Sequence, residues 1–197
     1  MTRPAPSARR RIVIGAIVLI VSASVAAIML NIERLVPARR TTVVTAPPAP
    51  SVQPTPQITT TLFYGSVDGQ ALVPLRREVP LADTPVAQGT EILKAQLAPA
   101  PSPLVSVMPP GTRLRAFYLT SRGDAVVDLS REIRSAHPGG SLMEMFTVYA
   151  LVNAVTANLP KVRRVQLLVE GQETDTIAGH IDVRGPLPAD RSLVREK

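Results

Sequence analysis

The sequence predicts an α+β domain, two helices packed on one face of a mixed β-sheet, preceded by a transmembrane helix and a proline-rich linker. Three observations carry that expectation. An uncharged run extends from Ile12 to Ile32. Prolines cluster between Pro37 and Gln57. After Ile58, strand-like alternation and helix-like periodicity take turns in the order hairpin, helix, hairpin, helix, strand. Helices interleaved with hairpins cannot build a fully parallel, doubly wound sheet, which leaves a mixed sheet with the helices on one side.

The uncharged run comes first. Its 21 residues, at about 1.5 Å of rise per residue, cover roughly 31 Å as a helix, the thickness of a hydrocarbon core. Arg3, Arg9, Arg10 and Arg11 precede it, and Glu33, Arg34, Arg39 and Arg40 follow it. The positive-inside bias and the short first tail both favour a cytoplasmic N-terminus with an exported C-terminal part. Ser24-Val25-Ala26 offers an alternative, cleavage as a signal peptide, but the apolar run continues through Ile28, Met29, Leu30 and Ile32, which favours a retained anchor. The resulting plan is a basic cytoplasmic tail (1–11), a span (12–32), a linker (33–57), a globular domain (58–187) and a C-terminal tail (188–197). The linker is rich in Pro, Thr, Ala and Val, with little to bury, and at about 3.1 Å per residue in polyproline form it acts as a semi-rigid spacer.

The net charge of +7 and the pI near 10.7 belong to the membrane flanks. Up to residue 57 there are seven arginines against Glu33 alone; from Ile58 onward 15 basic side chains face 14 acidic ones. Arginines beside a span meet anionic headgroups. With three Tyr, three Phe and no Trp in the chain there is little to stack on bases, so nucleic acid is excluded as a partner. No cysteine occurs, so there is no disulfide, thiolate metal site or lipidated cysteine.

Within the domain, Thr60 to Gly65 and Leu72 to Val79 flank the turn pair Asp68-Gly69 as a hairpin. A first helix follows, capped by Asp83 or Thr84, with Pro85 in its first turn and Val86, Thr90, Leu93 and Leu97 on its apolar face, and it ends before Pro99. Thr112 to Thr120 and Ala125 to Leu129 form a second hairpin around Ser121-Arg122-Gly123-Asp124. Ser141-Leu-Met-Glu144 has the spacing of a capping box and opens a second helix through Met145, Phe146, Tyr149, Val152 and Val155 to Pro160. Apolar nearly all round, that helix is expected at the centre. Val162 to Val169 is the next strand, and Ile177 to Val183 offers a last one.

Catalytic and metal motifs are missing: there is no G-x-S-x-G, S-x-x-K, H-E-x-x-H, G-x-G-x-x-G or Walker loop. His137 and His180 fall in a loop and at a strand start, without a clustered carboxylate pair, and are read as turn residues. Asp128 and Ser130 are read as caps of the turn that follows them. Asn153, inside the apolar second helix, is read as a satisfied buried amide. No cofactor is expected.

Four stretches, taken in order, resemble the GerMN domain, the sporulation and spore germination module. They are Leu72-Val-Pro-Leu-Arg-Arg-Glu-Val79, Val127-Asp-Leu-Ser130, Gly139-Gly-Ser141 with Tyr149-Ala-Leu-Val-Asn-Ala-Val-Thr156, and Val162-Arg-Arg-Val-Gln-Leu-Leu-Val-Glu-Gly171. The resemblance spans about Thr61 to Leu187. It implies a non-catalytic, exported α/β module, often tethered to the membrane, that helps to assemble or regulate envelope complexes. One copy of the domain and no lipid-attachment cysteine set this chain apart from the spore proteins.

The expected function is therefore a membrane-anchored, extracytoplasmic binding or scaffold module whose partner is an envelope protein or an acidic cell-wall polymer, with homo-oligomerisation open. The alternative is an enzyme acting on wall polymer or lipid-linked intermediates. Strand alternation places Arg76, Arg113, Arg115 and Arg164 on the sheet face away from the helices, with Leu114 and Ala116 turned inward. That face would offer guanidinium forks to carboxylates or phosphates; the competing reading is a solvated face whose charges pair with local acids such as Glu78.

Overall fold

The computed structural model describes residues 56–195. The expected tail, span and linker up to residue 55 lie outside the described residues, among which no helix is long and apolar enough to cross a membrane. Strand β1 (Gln57–Gly65) pairs antiparallel with β2 (Leu72–Pro80) in a register running from Gln57↔Pro80 to Gly65↔Leu72. Helix α1 (Pro85–Leu97) follows, then β3 (Leu114–Leu119), β4 (Asp124–Leu129), the short α2 (Glu132–Ser135), α3 (Ser141–Asn158), β5 (Arg164–Val169) and a brief β6 (Leu187–Pro188). Thr84 is the α1 N-cap, its side chain accepting from the Ala87 N–H, with Pro85 in the first turn. The β3–β4 turn needs Gly123: its φ is +85°, and a Cβ there would lie 2.9 Å from the Lys161 carbonyl.

The strands form two sheets, where one mixed sheet was expected. β1 and β2 stand alone, while β3, β4, β5 and β6 form a four-stranded sheet whose β4–β5 pairing is parallel and whose other pairings are antiparallel. The reason lies on the β1 edge that faces away from β2. Asn158 bridges both backbone groups of Thr61, donating to its carbonyl at 2.8 Å and accepting from its N–H at 2.8 Å. Gln96 does the same for Phe63 at 2.7 and 2.9 Å, and Gly65 exchanges two bonds with Val105. With these groups satisfied by helix side chains and a loop, that stretch has nothing left to offer another strand.

The helices consequently meet strands of both sheets. α3 packs against β1, α1, β5 and β6, and α1 packs against β3, β1, β2 and α3. Phe146, Val148, Ala150, Leu151, Val152, Ala154 and Val155 of α3 are all buried, as the lack of a polar stripe predicts for a central helix. The buried face of α1 is only partly the expected one: Leu93 is buried and Leu97 packs against the core as expected, but the face is turned. Gln88, Gly89, Ile92, Leu93 and Gln96 point inward, whereas Val86 is exposed. Two causes turn the helix. Gly89 sits on the Phe117 ring, where a Cβ would come within 2.1 Å of a ring carbon, and both glutamine amides dock on strand backbone, Gln88 on Ala82 N–H and Pro80 C=O.

Two further expectations change. Ile177 to Val183 is not a strand; its backbone is held as a loop by Glu144 and by the Val183 N–H bond to the Asp175 carbonyl. Residues 188–195, expected as a tail, belong to the fold: Leu72 donates to the Leu193 carbonyl and accepts from the Arg195 N–H, and Asn153 exchanges two bonds with the backbone of Asp190.

Candidate functional site

The four expected arginines do not share a face. Arg76 lies on the β1–β2 hairpin, a different sheet from the other three, and is exposed. Arg164 donates twice to Asp124, at 2.9 and 3.0 Å. Arg115 stands 3.3 Å from Asp128 and 3.9 Å from Glu170, and Arg113 stands 3.7 Å from Glu132. A bulge between Leu114 and Ala116 shifts the β3 register, so that Ala116 lies opposite Asp128 on the outer side and Phe117 turns inward opposite Val127. The expectation of Ala116 turned inward is thereby corrected. Single-sequence alternation has no term for a bulge. Arg164 is hydrogen-bonded to Asp124, and Arg115 and the more exposed Arg113 stand within ion-pair distance of Asp128 and Glu132 of their own chain.

Asp128 and Ser130 serve the backbone, though not the turn just after them. Asp128 accepts from Gly171 N–H at 2.7 Å and Ser130 accepts from Arg113 N–H at 2.9 Å. Asn153 is the satisfied amide expected of it.

The most buried charge is one that the sequence reading assigned elsewhere. Glu144 closes no capping box: α3 starts after Gly140 with no side-chain cap bond, and the Glu144 carboxylate, fully buried, turns into the loop after β5. It accepts from the N–H groups of Ile177 (2.8 Å), Ala178 (2.7 Å) and His180 (2.8 Å), and its Oε2 lies 3.1 Å from His180 Nδ1. Burial alone would push its pKa up, but the backbone donors of Ala178 and His180 outweigh it and the net shift is downward, so the group stays ionised. His137 is half-buried. Gly139 N–H donates to its Nδ1 at 2.9 Å, and Nε2 meets Thr147 Oγ1 at 3.2 Å, which fixes the neutral Nε2–H tautomer. Its pKa is lowered, by burial first and then by His180, against an opposing pull from Glu144. Glu144 itself is buried and fastens the loop after β5 through these donors, while its partner His180 is exposed at the surface. Among the described residues no group of His, Asp and Glu is placed to hold a metal ion.

The feature suited to binding is an apolar cavity of about 550 Å³ at the open end of the first hairpin. Ile58 comes from β1, Leu81 from the end of β2, Leu119 from β3, and Leu159 and Val162 from the α3–β5 connection; Lys161 stands at its mouth. Sequence reading missed it because it is assembled from four chain segments, each of which looks like the end of an element. The one available signal was Leu81, an apolar residue just past a strand end, half exposed in the structure.

The architecture is thus an α+β domain in which a hairpin and a mixed sheet surround a central helix, with an apolar cavity at one end. A family model described as Germane, sporulation and spore germination, matches residues 61–175, more than half of the chain, and the chain belongs to that family. No curated protein sequence matches it. Among solved structures it is similar to a putative lipoprotein from Clostridium perfringens, with 21% identity, 68% of this chain and 89% of that chain covered, and a TM-score of 0.49. It is also similar to the sporulation protein GerM from Bacillus subtilis at 17% identity and a TM-score of 0.49. There 68% of this chain covers 94% of the first GerMN domain and 45% of the tandem-domain chain.

Proposed function

We propose that this protein is a membrane-anchored, extracytoplasmic, non-catalytic binding or scaffold module of the cell envelope. The cavity is the observation that carries the reading. Its walls are mainly carbon from four chain segments, and its volume falls in the range of recognition sites, in which apolar surface supplies affinity and a few polar groups supply selection. The most buried carboxylate, Glu144, is occupied in holding a loop. Family membership supports an envelope role, and the uncharged run Ile12–Ile32 with its basic flank supports the anchor. The partner is an envelope protein or an acidic wall polymer.

Reporter fusions after Gln57 and after Lys197 test the topology. Both are expected to be active only as an exported reporter, and a reporter that works only in the cytoplasm, functioning at either point, overturns the reading. Binding is tested by retention of the full chain on isolated envelope fragments.

A further inference from the structure

The amide plugs that isolate β1 stop short of its beginning. Alternate residues of a strand direct their backbone groups to the same side, so Gln57 and Thr59 present theirs to the edge on which Thr61, Phe63 and Gly65 are bonded to Asn158, Gln96 and Val105. Among the described residues the backbone groups of Gln57 and Thr59 have no partner on that edge, and both residues are exposed. Between them lies Ile58, which lines the cavity. A short open strand edge thus borders an apolar cavity, the combination that strand addition uses: the edge binds peptide backbone and the cavity takes an alternate side chain.

The charges around the mouth select the peptide. Lys161 lines the cavity, Arg163 follows Val162 and donates its N–H to the Gly123 carbonyl, and Arg122 precedes Gly123 in the β3–β4 turn. All three are exposed and none is ion-paired among the described residues. Lys161 sits on the side that the β1 edge faces, since it follows Asn158, which bonds that edge, by three positions, and Arg122 and Arg163 flank the cavity lining at Gly123 and Val162. The opposing acids are Asp83, on the α1 side of the cavity, and Glu78, which accepts from Thr59 Oγ1 on the hairpin.

We infer that an extended peptide of alternating acidic and aliphatic residues, a segment of an envelope partner, adds to β1 at Gln57 and Thr59. It places an aliphatic side chain in the cavity beside Ile58 and Leu81, and its carboxylates at Lys161, Arg163 and Arg122. This rests on the binding-module reading and gives that module its surface and the chemistry of its partner.

The test uses the full chain in nanodiscs and a short fluorescein-labelled peptide alternating glutamate and valine, with a lysine–valine peptide as the control. Thr59→Pro removes one edge N–H that points away from β2, a substitution an edge strand tolerates; the double variant Lys161→Glu/Arg163→Glu reverses two exposed charges without touching the core. The acidic peptide is expected to bind, the basic one not, and each variant to weaken binding by about tenfold or more. Bound peptide should also protect the Thr59 amide from hydrogen exchange. No binding at millimolar peptide, or binding that a folded double variant leaves intact, overturns the assignment. So does occupation of the cavity by dodecanoate in preference to peptide, or self-association that Thr59→Pro abolishes, each giving the site to a different occupant. Retention on envelope fragments separates the two levels. If the wild type and both variants are retained alike, this surface is wrong and the module reading stands; if the wild type is not retained, the module reading itself falls.

Discussion

Replacing Glu144 with glutamine and, separately, Ser141 with alanine discriminates sharply between the local pattern and the fold. If Ser141 and Glu144 formed a capping box, Ser141→Ala would cost about 1 kcal/mol. In the structure Ser141 makes no cap bond, so that change should cost less than about 0.5 kcal/mol. Glu144→Gln keeps an oxygen for Ile177 and Ala178 but sets an NH₂ group against the His180 N–H, and removes the charge that all these donors share. A buried bond to a charged group contributes about 1.5–3 kcal/mol, and a donor left facing a donor adds to the loss, so a destabilisation of about 2–4 kcal/mol is expected. Urea unfolding of a fragment from residue 56 onward, which carries every described element, measures both. Hydrogen exchange at Ile177, Ala178 and His180 should lose protection in Glu144→Gln alone. Equal costs for the two variants, or a Glu144→Gln protein within about 0.5 kcal/mol of wild type with its loop still protected, would refute the latch.

Further outcomes follow from the same contacts. Gly89→Ala should destabilise by about 1–3 kcal/mol despite the better helix propensity of alanine, because the Cβ meets the Phe117 ring; a thermal melt checks it. Acid should weaken the fold in two stages. His137 has a lowered folded pKa, so the unfolded chain takes its proton first and stability begins to fall as pH drops below the ordinary histidine value of 6.5. Glu144, also lowered, adds a second loss as pH drops below 4.5 and on through its folded pKa; urea midpoints across pH measure both, and His137→Gln should remove only the first. The variant with Arg76, Arg113, Arg115 and Arg164 all changed to glutamine should stay on envelope fragments within about twofold of wild type, since three of these side chains are engaged by Asp124, Asp128 and Glu132. A larger, salt-dependent loss would make those arginines the contact.

Elements were legible wherever local chemistry decided them. Thr84-Pro85 set the start of α1, Gly123 the second hairpin turn, and the unbroken apolar surface of α3 its central place, because capping, positive φ and burial on all sides leave marks in adjacent residues. What decides sheet membership does not. The separation of β1 from the other strands rests on Gln96 and Asn158, two amides from different helices whose partners lie 33 and 97 positions away, and nothing in either neighbourhood marks them as strand plugs. Glu144 is the converse case: its spacing from Ser141 satisfied a local rule, while a loop more than thirty residues on supplied more donors and took it. Arg76 left the expected arginine face, and Ala116 its expected inward place, for a related reason, since alternation assigns sides within one strand but says nothing of bulges or of which sheet a strand joins. The cavity, built from four element ends, left no periodic trace at all.

The first hairpin itself supplies the most direct measurement. Val67 at its turn and Leu81 past its open end are both exposed apolar residues, 70% and 50% accessible, at opposite ends of the same pair of strands. A photo-crosslinking residue is placed at each position of the full chain in living cells. Leu81 should capture an envelope protein, Val67 should not, and Lys161→Glu/Arg163→Glu should abolish the Leu81 product. Capture at Val67 alone, or a Leu81 product made by a cytoplasmic protein, would contradict an exported module that binds its partner at the cavity.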